Sequence, residues 1–336
     1  MVYTRRRFLA LCADALAALG LSAFLPPAAA RAAAPETNVW ETLGAKKDAF
    51  RALIFCDSQC GESYDVWRTT IDTAFARHGT PDFFAILGDL VDCGASDWHW
   101  QEFFHAMGAH ASEAPLVPVM GNHECYGEDW QNHLPDGFLS RFSFPPNGSV
   151  RFPGYYYAFD CGPAHFTVLN TQWGELDGLR PGLKTEQLVW LKQALSQKTT
   201  NESQKKWQIV LLHKDILAYD EAQPDGTTGG FSDTGKTFLP LFDALGVDLV
   251  LSAHMHAYRN RGHIAQFARS ESGPVYVMCG RAGNEYYYVP PDALDLVCAP
   301  DDHIPAYVTL ACTPTSLTVE GWDTAGTRLD RFTLTK

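Results

Sequence analysis

The fold is decided by the stretch Ala85–Gly94, which reads AILGDLVDCG. Its apolar start, which continues back to Phe83, predicts a buried strand, and Gly88 ends that strand. The carboxylate of Asp89 follows at once, at the carboxyl end of the strand, where open α/β sheets build their sites. Because Gly-Asp is also a common turn pair, this stretch alone supports a solvated turn equally well. The other strand ends of the chain decide between the two interpretations.

Polar side chains directly follow five predicted strands, which are Arg51–Cys56, Asp82–Leu87, Pro115–Met120, Trp207–Leu212 and Val247–Leu251. In the same order, these side chains are Asp57 and Gln59, Asp89 and Asp92, Asn122 and His123, His213, and His254 with His256. Each alone is explained by a capped helix, a tight turn or a core histidine. Together they offer oxygen and imidazole donors, which suit Mn, Fe or Zn. An H-x-H pair on an extended segment points both rings to one side, which allows two adjacent ions.

The rest of the pattern predicts helices between these strands and a strand-rich end. Apolar residues at helical spacing predict helices over Tyr64–Arg77, Asp97–His110, Lys184–Gln197 and Lys236–Leu245. The region from Gly121 to Gly154 is predicted to be a long loop. Antiparallel strands without a helix are predicted near Val275–Cys279, Ala306–Ala311, Ser316–Trp322 and Leu329–Leu334.

The first residues are predicted to be an export signal. The stretch Thr4–Leu9 reads TRRRFL, a twin-arginine pattern, and a weakly apolar segment with Asp14 inside it follows. The segment is short and carries a charge, so we expect no stable membrane anchor. We therefore predict a twin-arginine signal peptide over 1–32, cleaved near Ala32, a connector over 33–49 and one domain over 50–336. The twin-arginine export machinery would deliver the folded protein to the periplasm or the medium.

The acidic composition limits the partners. At pH 7 the formal net charge is −13, with 46% hydrophobic and 19% charged residues, as in an ordinary globular protein. Removal of residues 1–32 takes away four arginines and one aspartate, a net +3, which leaves −16. Such a surface repels nucleic acid duplexes and anionic membranes. A small phosphorylated substrate would then need local positive charge, and bound metal ions supply it.

The motif order resembles that of a known family. D-x-Q, G-D-x-x-D, G-N-H-E, a lone histidine after an apolar strand, and H-x-H are similar to the calcineurin-like metallophosphoesterase superfamily over about residues 50–260. The closing stretch, with Val275–Gly280, is similar to the purple-acid-phosphatase-like branch. The resemblance implies an α/β fold, a four-layer αββα sandwich of two mixed β-sheets flanked by helices, for the metallophosphoesterase domain over 50–336.

The resemblance also implies roles for the strand-end residues. It implies two divalent or trivalent ions, one held by Asp57, Gln59 and His256, the other by Asn122, His213 and His254, with Asp89 bridging both. A hydroxide that bridges the ions would attack the phosphate ester. His123 would be the general acid for the leaving oxygen, and Asp92 would orient it.

Three positions depart from relatives in the superfamily. Gln59 stands where most members have histidine, which keeps a phosphodiesterase or nucleotide pyrophosphatase open as an alternative. Asp92 stands where purple acid phosphatases have a metal-bound tyrosine, which argues against a coloured ferric centre. Cys93 stands where serine/threonine protein phosphatases have an arginine, which disfavours protein dephosphorylation. A non-catalytic binding protein on this scaffold is a further alternative, against which His123 and the complete ligand set speak.

Substrate contacts and cysteines are less constrained by the sequence. Tyr258 and Arg281 are the predicted substrate contacts, within a loop set that also includes Tyr126, Trp130, Trp173, Arg259 and Tyr286–Tyr288. Aromatic residues there would either stack on a base or pack the loops, and packing is the more common use. Eight cysteines remain after residue 32, and loop disulfides or buried free thiols are favoured over a metal thiolate.

Overall fold

A computed structural model describes residues 39–45, 48–196, 206–219, 229–300 and 303–336. The predicted signal peptide and its cleavage site lie outside the described residues, so both stay predictions. The described residues from Val39 to Lys336 form one compact unit. Among them, no helix has the length and apolar character that crossing a membrane requires.

Eight helices and fourteen strands make up the described part of the chain. The helices are α1 (Val39–Gly44), α2 (Asp65–His78), α3 (Asp97–Met107), α4 (His110–Glu113), α5 (Asp136–Arg141), α6 (Trp173–Leu176), α7 (Leu183–Ser196) and α8 (Asp233–Leu245). The strands are β1 (Phe50–Phe55), β2 (Phe83–Leu87), β3 (Leu116–Val119), β4 (Tyr157–Cys161), β5 (Ala164–Val168), β6 (Trp207–Leu211), β7 (Leu249–Ser252), β8 (Tyr258–Ala265), β9 (Ala268–Arg269), β10 (Val275–Cys279), β11 (Val297–Cys298), β12 (Ala306–Cys312), β13 (Ser316–Asp323) and β14 (Arg328–Thr335).

The strands form two mixed sheets. The first has the order β14-β13-β12-β1-β2-β3, in which β1, β2 and β3 are parallel and β12–β14 are antiparallel. The second has the order β11-β8-β10-β7-β6-β5-β4, and its central strands β5, β6, β7 and β10 are parallel. Parallel strands place their carboxyl ends at one edge of a sheet, so each sheet gathers several strand ends together.

The inner faces of the two sheets form the central core. In β1, Phe50, Ala52 and Ile54 belong to this core, together with alternate residues of β2, β6, β7 and β10. The side chains on the opposite face of β1, Leu53 and Phe55, belong to a second cluster, which includes the apolar faces of the helices. Because both faces of these strands are buried, their sequences read as continuous apolar runs rather than alternating ones.

The helices cover the outer faces of the sheets. On α2, Trp67 packs its ring edge against Phe55 of β1 at 5.2 Å and stacks on Phe103 of α3 at 5.9 Å. On α8, Phe238 and Phe242 are buried on the same helix face, in the same cluster as α7 residues such as Leu191. Full burial of one such side chain contributes about 1.5–3 kcal/mol. The predicted sandwich of two mixed sheets flanked by helices is confirmed.

Several elements differ from the sequence-based expectation. The connector contains α1, whose Leu43 is buried and whose Trp40 packs on Tyr157 at 5.5 Å. The loop after Gly121 contains α5, and β8 was not predicted. The strand Val275–Cys279 is antiparallel to β8 but parallel to β7, so the expectation of a purely antiparallel end is wrong. A buried apolar run carries no signal for its direction, because both kinds of pairing bury the same side chains.

Candidate metal centre

The predicted polar residues meet at the carboxyl ends of the parallel strands. Asp57 follows β1, Asp89 follows β2, His213 follows β6, and His254 and His256 follow β7. The structure brings nitrogen and oxygen atoms of these side chains within 4.8 Å of one another in two groups, which are Asp57, Asp89, His256 and Asp89, His213, His254. Asp89 belongs to both groups, and the bridging role that the family resemblance implies for it stays a prediction.

The backbone turns sharply at four of these residues. Asp57 and Asp89 both have a φ of 50°, and His254 and His256 have φ of 75° and 56°. This left-handed region is uncommon for residues other than glycine and costs about 1–3 kcal/mol where the surroundings impose it. The fold therefore holds these four residues in an unfavourable backbone conformation, and their side chains converge on one space. This indicates a function rather than packing.

The first donor group is completed by Gln59. Its amide nitrogen donates to the backbone oxygens of Asp57 at 3.3 Å and Asp89 at 3.0 Å, which leaves its oxygen 3.2 Å from Nε2 of His256. Nδ1 of His256 donates to the carbonyl oxygen of Glu285 at 2.7 Å, so Nε2 carries the lone pair. Burial lowers the pKa of His256 to about 3, and the ring is neutral, as a metal ligand must be.

The second donor group is completed by Asn122. Nδ1 of His213 donates to the carbonyl oxygen of Leu87 at 2.8 Å, so its Nε2 faces the centre. That Nε2 lies 2.9 Å from Oδ1 of Asn122 and 3.1 Å from Nδ1 of His254. Atoms of these types approach so closely only with a proton or a cation between them, and a metal ion would replace the proton. The donor set therefore fits a metal ion.

The carboxylates of the site are balanced by protons rather than by lysine or arginine. Burial raises the pKa of Asp57 to about 8, whereas against burial the nearby His213 and His123 hold the pKa of Asp89 well below its usual range. Burial alone lowers the pKa of His213, but the charge of Asp89 outweighs it and raises that pKa to about 9. Within the described residues, both carboxylates form ion pairs with histidines only. Two cations at this place would replace the protons on Asp57 and His213, because metal ligands bind in their deprotonated form.

Glu124 supports the centre without belonging to the donor groups, and sequence reasoning gave it no role. Its carboxylate accepts the backbone N–H groups of Gly121 at 2.7 Å, Leu90 at 2.8 Å and Asp89 at 2.9 Å. It thus ties the turn after β3 to the turn after β2. Burial raises its pKa to about 7. The signal was present as the last letter of the G-N-H-E motif.

Two glycines allow the turns to approach each other. Gly88 has a φ of 92°, and a Cβ atom there would lie 2.4 Å from Nδ1 of His213. A Cβ atom on Gly121 would lie 2.1 Å from Oδ1 of Asp89. Both distances are shorter than any real contact, so only glycine lets the ligands of the two sheets converge.

His123 lies beside the donor groups, as predicted for the acid. Its Nδ1 donates to the backbone oxygen of Asp92 at 2.7 Å, and its Nε2 lies 3.9 Å from Oδ2 of Asp89. Burial opposes its charge, but Asp89 and the bonds to Asp92 outweigh burial and raise the pKa of His123 to about 10. Asp92 orients the ring mainly through its backbone, since its Oδ1 is 3.5 Å from Nδ1. The expected partnership of His123 and Asp92 is therefore present, with the main chain as the acceptor.

The two predicted substrate contacts, Tyr258 and Arg281, are largely buried. Tyr258 is 1% exposed, and its hydroxyl donates to Asp330 at 3.0 Å. Arg281 is 5% exposed, and its guanidinium donates to the carbonyl oxygen of Gly283 at 2.6 Å. Both also line a cavity that includes His256 and Tyr287. Their role in substrate binding stays a prediction.

The described cysteines are free thiols, seven of them buried. None belongs to the two donor groups, so the structure gives no support to a metal thiolate among the described residues. Cys93 donates to the backbone oxygen of Tyr126 at 3.4 Å, and Cys125 is buried beneath the G-N-H-E turn. The proximity of cysteines to ligands in the sequence therefore reflects packing, which was one of the two favoured interpretations.

Comparison with known proteins identifies relatives of the same architecture. The family model of the calcineurin-like phosphoesterases matches residues 50–258. Purple acid phosphatase 15 of Arabidopsis thaliana is 24% identical over 246 residues, which are 65% of this chain and 43% of that protein. The chain spans less than half the length of the curated relatives it matches, 43% and 35% of the first two.

Solved structures show the same fold. A purple acid phosphatase from yellow lupin (Lupinus luteus) seeds is similar with a TM-score of 0.65 and 17% identity, over 86% of this chain and 54% of that one. GAP50, the anchor in the inner membrane complex of Plasmodium, is similar with a TM-score of 0.57 and 12% identity, over 86% of this chain and 89% of that one.

These matches confirm the superfamily and the purple-acid-phosphatase-like branch that the motif order indicated. The family depends on two metal ions, and the two donor groups around Asp89 are what such a pair requires. Because the family model matches residues 50–258, more than half of the chain, the chain belongs to the calcineurin-like phosphoesterase family.

Proposed function

We propose that this protein hydrolyses a small phosphate ester and that two metal ions, Mn, Fe or Zn, are its cofactors. The observation that carries the proposal is the pair of donor groups that share Asp89, with His123 beside them. Asp57, Gln59 and His256 would hold one ion, and Asn122, His213 and His254 the other. When bound, the two ions would activate the attacking water and neutralise the phosphoryl oxygens.

The residues of the chain would handle the proton of the leaving group. With Nδ1 bonded to the backbone of Asp92, His123 presents Nε2 toward the centre, and Asp89 favours its protonated form. As water adds to phosphorus, the bond from phosphorus to the leaving oxygen breaks, and that oxygen takes the proton from Nε2. A proton from the attacking water then restores His123, so the reaction balances.

The variant His123→Ala tests this role. Because a positioned acid contributes about 10²–10⁴-fold when the leaving group is poor, kcat on ethyl phosphate and diethyl phosphate should fall by that factor while both ions are retained. The control is His105→Ala, an exposed histidine on α3, which should keep full turnover. Unchanged turnover in His123→Ala would show that His123 is not the acid. Loss of the metal ions in this variant would show that His123 has a structural role instead.

A phosphodiesterase or nucleotide pyrophosphatase is the second candidate reaction on the same site. It is favoured by Gln59, which completes the first donor group where most of the superfamily has histidine. The ratio of kcat/KM for the p-nitrophenyl bis-ester and monoester separates the two. A larger value for the bis-ester supports the diesterase.

A non-catalytic role is the third candidate, because GAP50 shares the fold and is described as an anchor. Binding alone needs no acid, so the placement of His123 against Asp92 and Asp89 favours an enzyme. Metal-loaded protein without turnover on either ester would support the binding protein instead.

Export through the twin-arginine machinery is proposed from the sequence of the first residues, with a periplasmic or secreted location. The experiment is replacement of Arg5 and Arg6 by lysine, which should keep the precursor inside the cell. Unchanged export of that variant would contradict the proposal.

A further inference from the structure

Three large aromatic side chains are exposed around the cleft above the metal centre. The cleft measures about 1020 Å³, including the open space at its mouth, and is lined by Asp89, Asn122, His123, His254, Met255, His256 and Tyr286–Tyr288. Tyr287 and Tyr288 are 47% and 62% exposed, and Trp130, beside His123, is 57% exposed. Aromatic side chains usually bury most of their surface, so this exposure requires a cause.

The other aromatic residues of the predicted loop set are packed. Trp173 is 8% exposed and donates its indole N–H to Asp233 at 2.7 Å. Tyr258 is buried against Asp330, and Tyr286 packs on His303 with ring centroids 3.7 Å apart. The structure therefore divides the set, and only Trp130, Tyr287 and Tyr288 keep large surfaces for another molecule.

The loop that carries Trp130 is built to hold the side chain outward. Trp130 has a φ of 58°, a conformation costly for a bulky residue. Backbone bonds fix this turn, because Trp130 donates to Gly127 at 2.9 Å and Gly127 donates to Gln131 at 3.0 Å. The indole stands nearly perpendicular to the ring of His123, at 87°, with centroids 5.9 Å apart. The strained turn thus places a flat apolar surface next to the acid.

The second aromatic surface is the ring of Tyr287, which lies against His256, another histidine that lines the cleft. The ring of Tyr287 lies 4.5 Å from that of His256, tilted by 38°, and half of its side chain faces solvent. Since the described lining of the cleft has no lysine or arginine, ring faces rather than charges are available there for the organic part of a substrate.

We propose that the cleft selects phosphate esters whose leaving group carries a flat aromatic ring, an aryl or nucleoside alcohol, and that this ring stacks on Trp130. The inference rests on the proposed function, because His123 must face the leaving oxygen for its neighbour Trp130 to contact the leaving group. Stacking on an aromatic side chain accepts any flat ring, so the selectivity is for a class rather than for one compound.

The experiment compares phenyl phosphate with ethyl phosphate, followed by phosphate release, in the metal-loaded wild type and in Trp130→Ala. Removal of the indole should lower kcat/KM for phenyl phosphate by about 5- to 100-fold, the range for stacking of a base, and change ethyl phosphate less than about twofold. Trp130→Phe should recover most of the loss. The control Phe267→Ala removes an exposed ring just past the end of β8 that is farther from His256. It should change kcat/KM for neither substrate.

Two outcomes of this comparison overturn the inference. Equal losses for both esters would mean that Trp130 has no role in selecting the ring. A larger loss for ethyl phosphate would mean that Trp130 positions His123, because the poorer leaving group depends more on the acid.

If the wild type hydrolyses neither ester, the proposed function is refuted. The aromatic selectivity can then still be tested by measuring the binding of phosphonates. Calorimetric titration of metal-loaded protein should then show tighter binding of phenylphosphonate than of methylphosphonate, and Trp130→Ala should remove the difference. Equal binding of the two phosphonates by the wild type would overturn the aromatic selectivity itself.

Discussion

Two buried polar clusters lie side by side and differ in their charge balance. The metal centre contains two carboxylates and three histidines, and its charge is balanced by protons rather than by lysine or arginine. The second, which we name the arginine cluster, consists of Arg259, Arg261, Asp215, Asp295 and Tyr219. The clusters are joined by the chain, since Asp215 lies two residues after His213.

In the arginine cluster each carboxylate faces a guanidinium. Arg261 is fully buried and lies 2.9 Å from Oδ1 of Asp215 and 3.3 Å from Oδ1 of Asp295. Arg259 lies 3.5 Å from the other oxygen of Asp295. Two positive charges therefore meet two negative ones, and the cluster is complete without a ligand. Charge balance, rather than burial, separates a structural cluster from a site that requires cations.

The largest expected effect comes from unbalancing the arginine cluster. Arg261→Met leaves Asp215 without its cationic partner, which should lower the free energy of unfolding by about 3–5 kcal/mol. Urea denaturation measures the change. In the control Arg328→Met, which removes an exposed pair with Glu320, the loss should stay within about 0.5 kcal/mol. Equal losses in the two variants would show that the cluster does not depend on its balance.

A smaller effect is expected from closing the space beside a metal ligand without changing the ligand. In Gly88→Ala the new Cβ would meet Nδ1 of His213 at 2.4 Å and displace the ring. Affinity for the metal should fall by about 10–100-fold, as for other changes behind a ligand. Competition with a chelator measures it. Gly79→Ala shares the positive φ but has no atom within 4 Å, and its affinity should match the wild type.

The smallest effect is a pH dependence that metal binding should suppress. In chelator, stability should fall from pH 7 to pH 9, because folding raises the pKa of Asp57 to about 8 and that of His213 to about 9. The folded protein holds protons there that the unfolded chain has released, so stability is lost as pH rises through these values, by up to about 1.4 kcal/mol per pH unit for each group. Denaturation at each pH with and without metal measures the slope. Equal slopes would contradict the cation site.

The sequence predicted the fold and the residues of the centre because their signals are local. An apolar run that stops at glycine and a carboxylate, as at Gly88 and Asp89, is visible within ten residues. Repetition of that pattern at the other strand ends predicts one shared site. The two sheets followed from the family that carries this order of motifs.

The remaining features depend on contacts between distant segments. In the sequence Glu124 is one acidic residue of a motif, and only the fold shows that three backbone N–H groups from two turns donate to it. Arg261 pairs with Asp215 across 46 residues, and Tyr258 donates to Asp330 across 72. The positive φ of His254 and His256 and the outward position of Trp130 likewise arise from tertiary packing. Local pattern carries no signal for such pairings.

Whether the cluster around Asp89 binds metal is decided by one measurement. This is the metal content of the chelator-treated protein after reconstitution with Mn²⁺ or Zn²⁺. The wild type should bind about two ions per chain, and Asp89→Asn, which weakens the shared ligand, should bind far less of both. Elemental analysis of both proteins after removal of free metal gives the stoichiometry. An absence of bound ions in the wild type, or two retained ions in Asp89→Asn, would contradict a dinuclear centre bridged by Asp89.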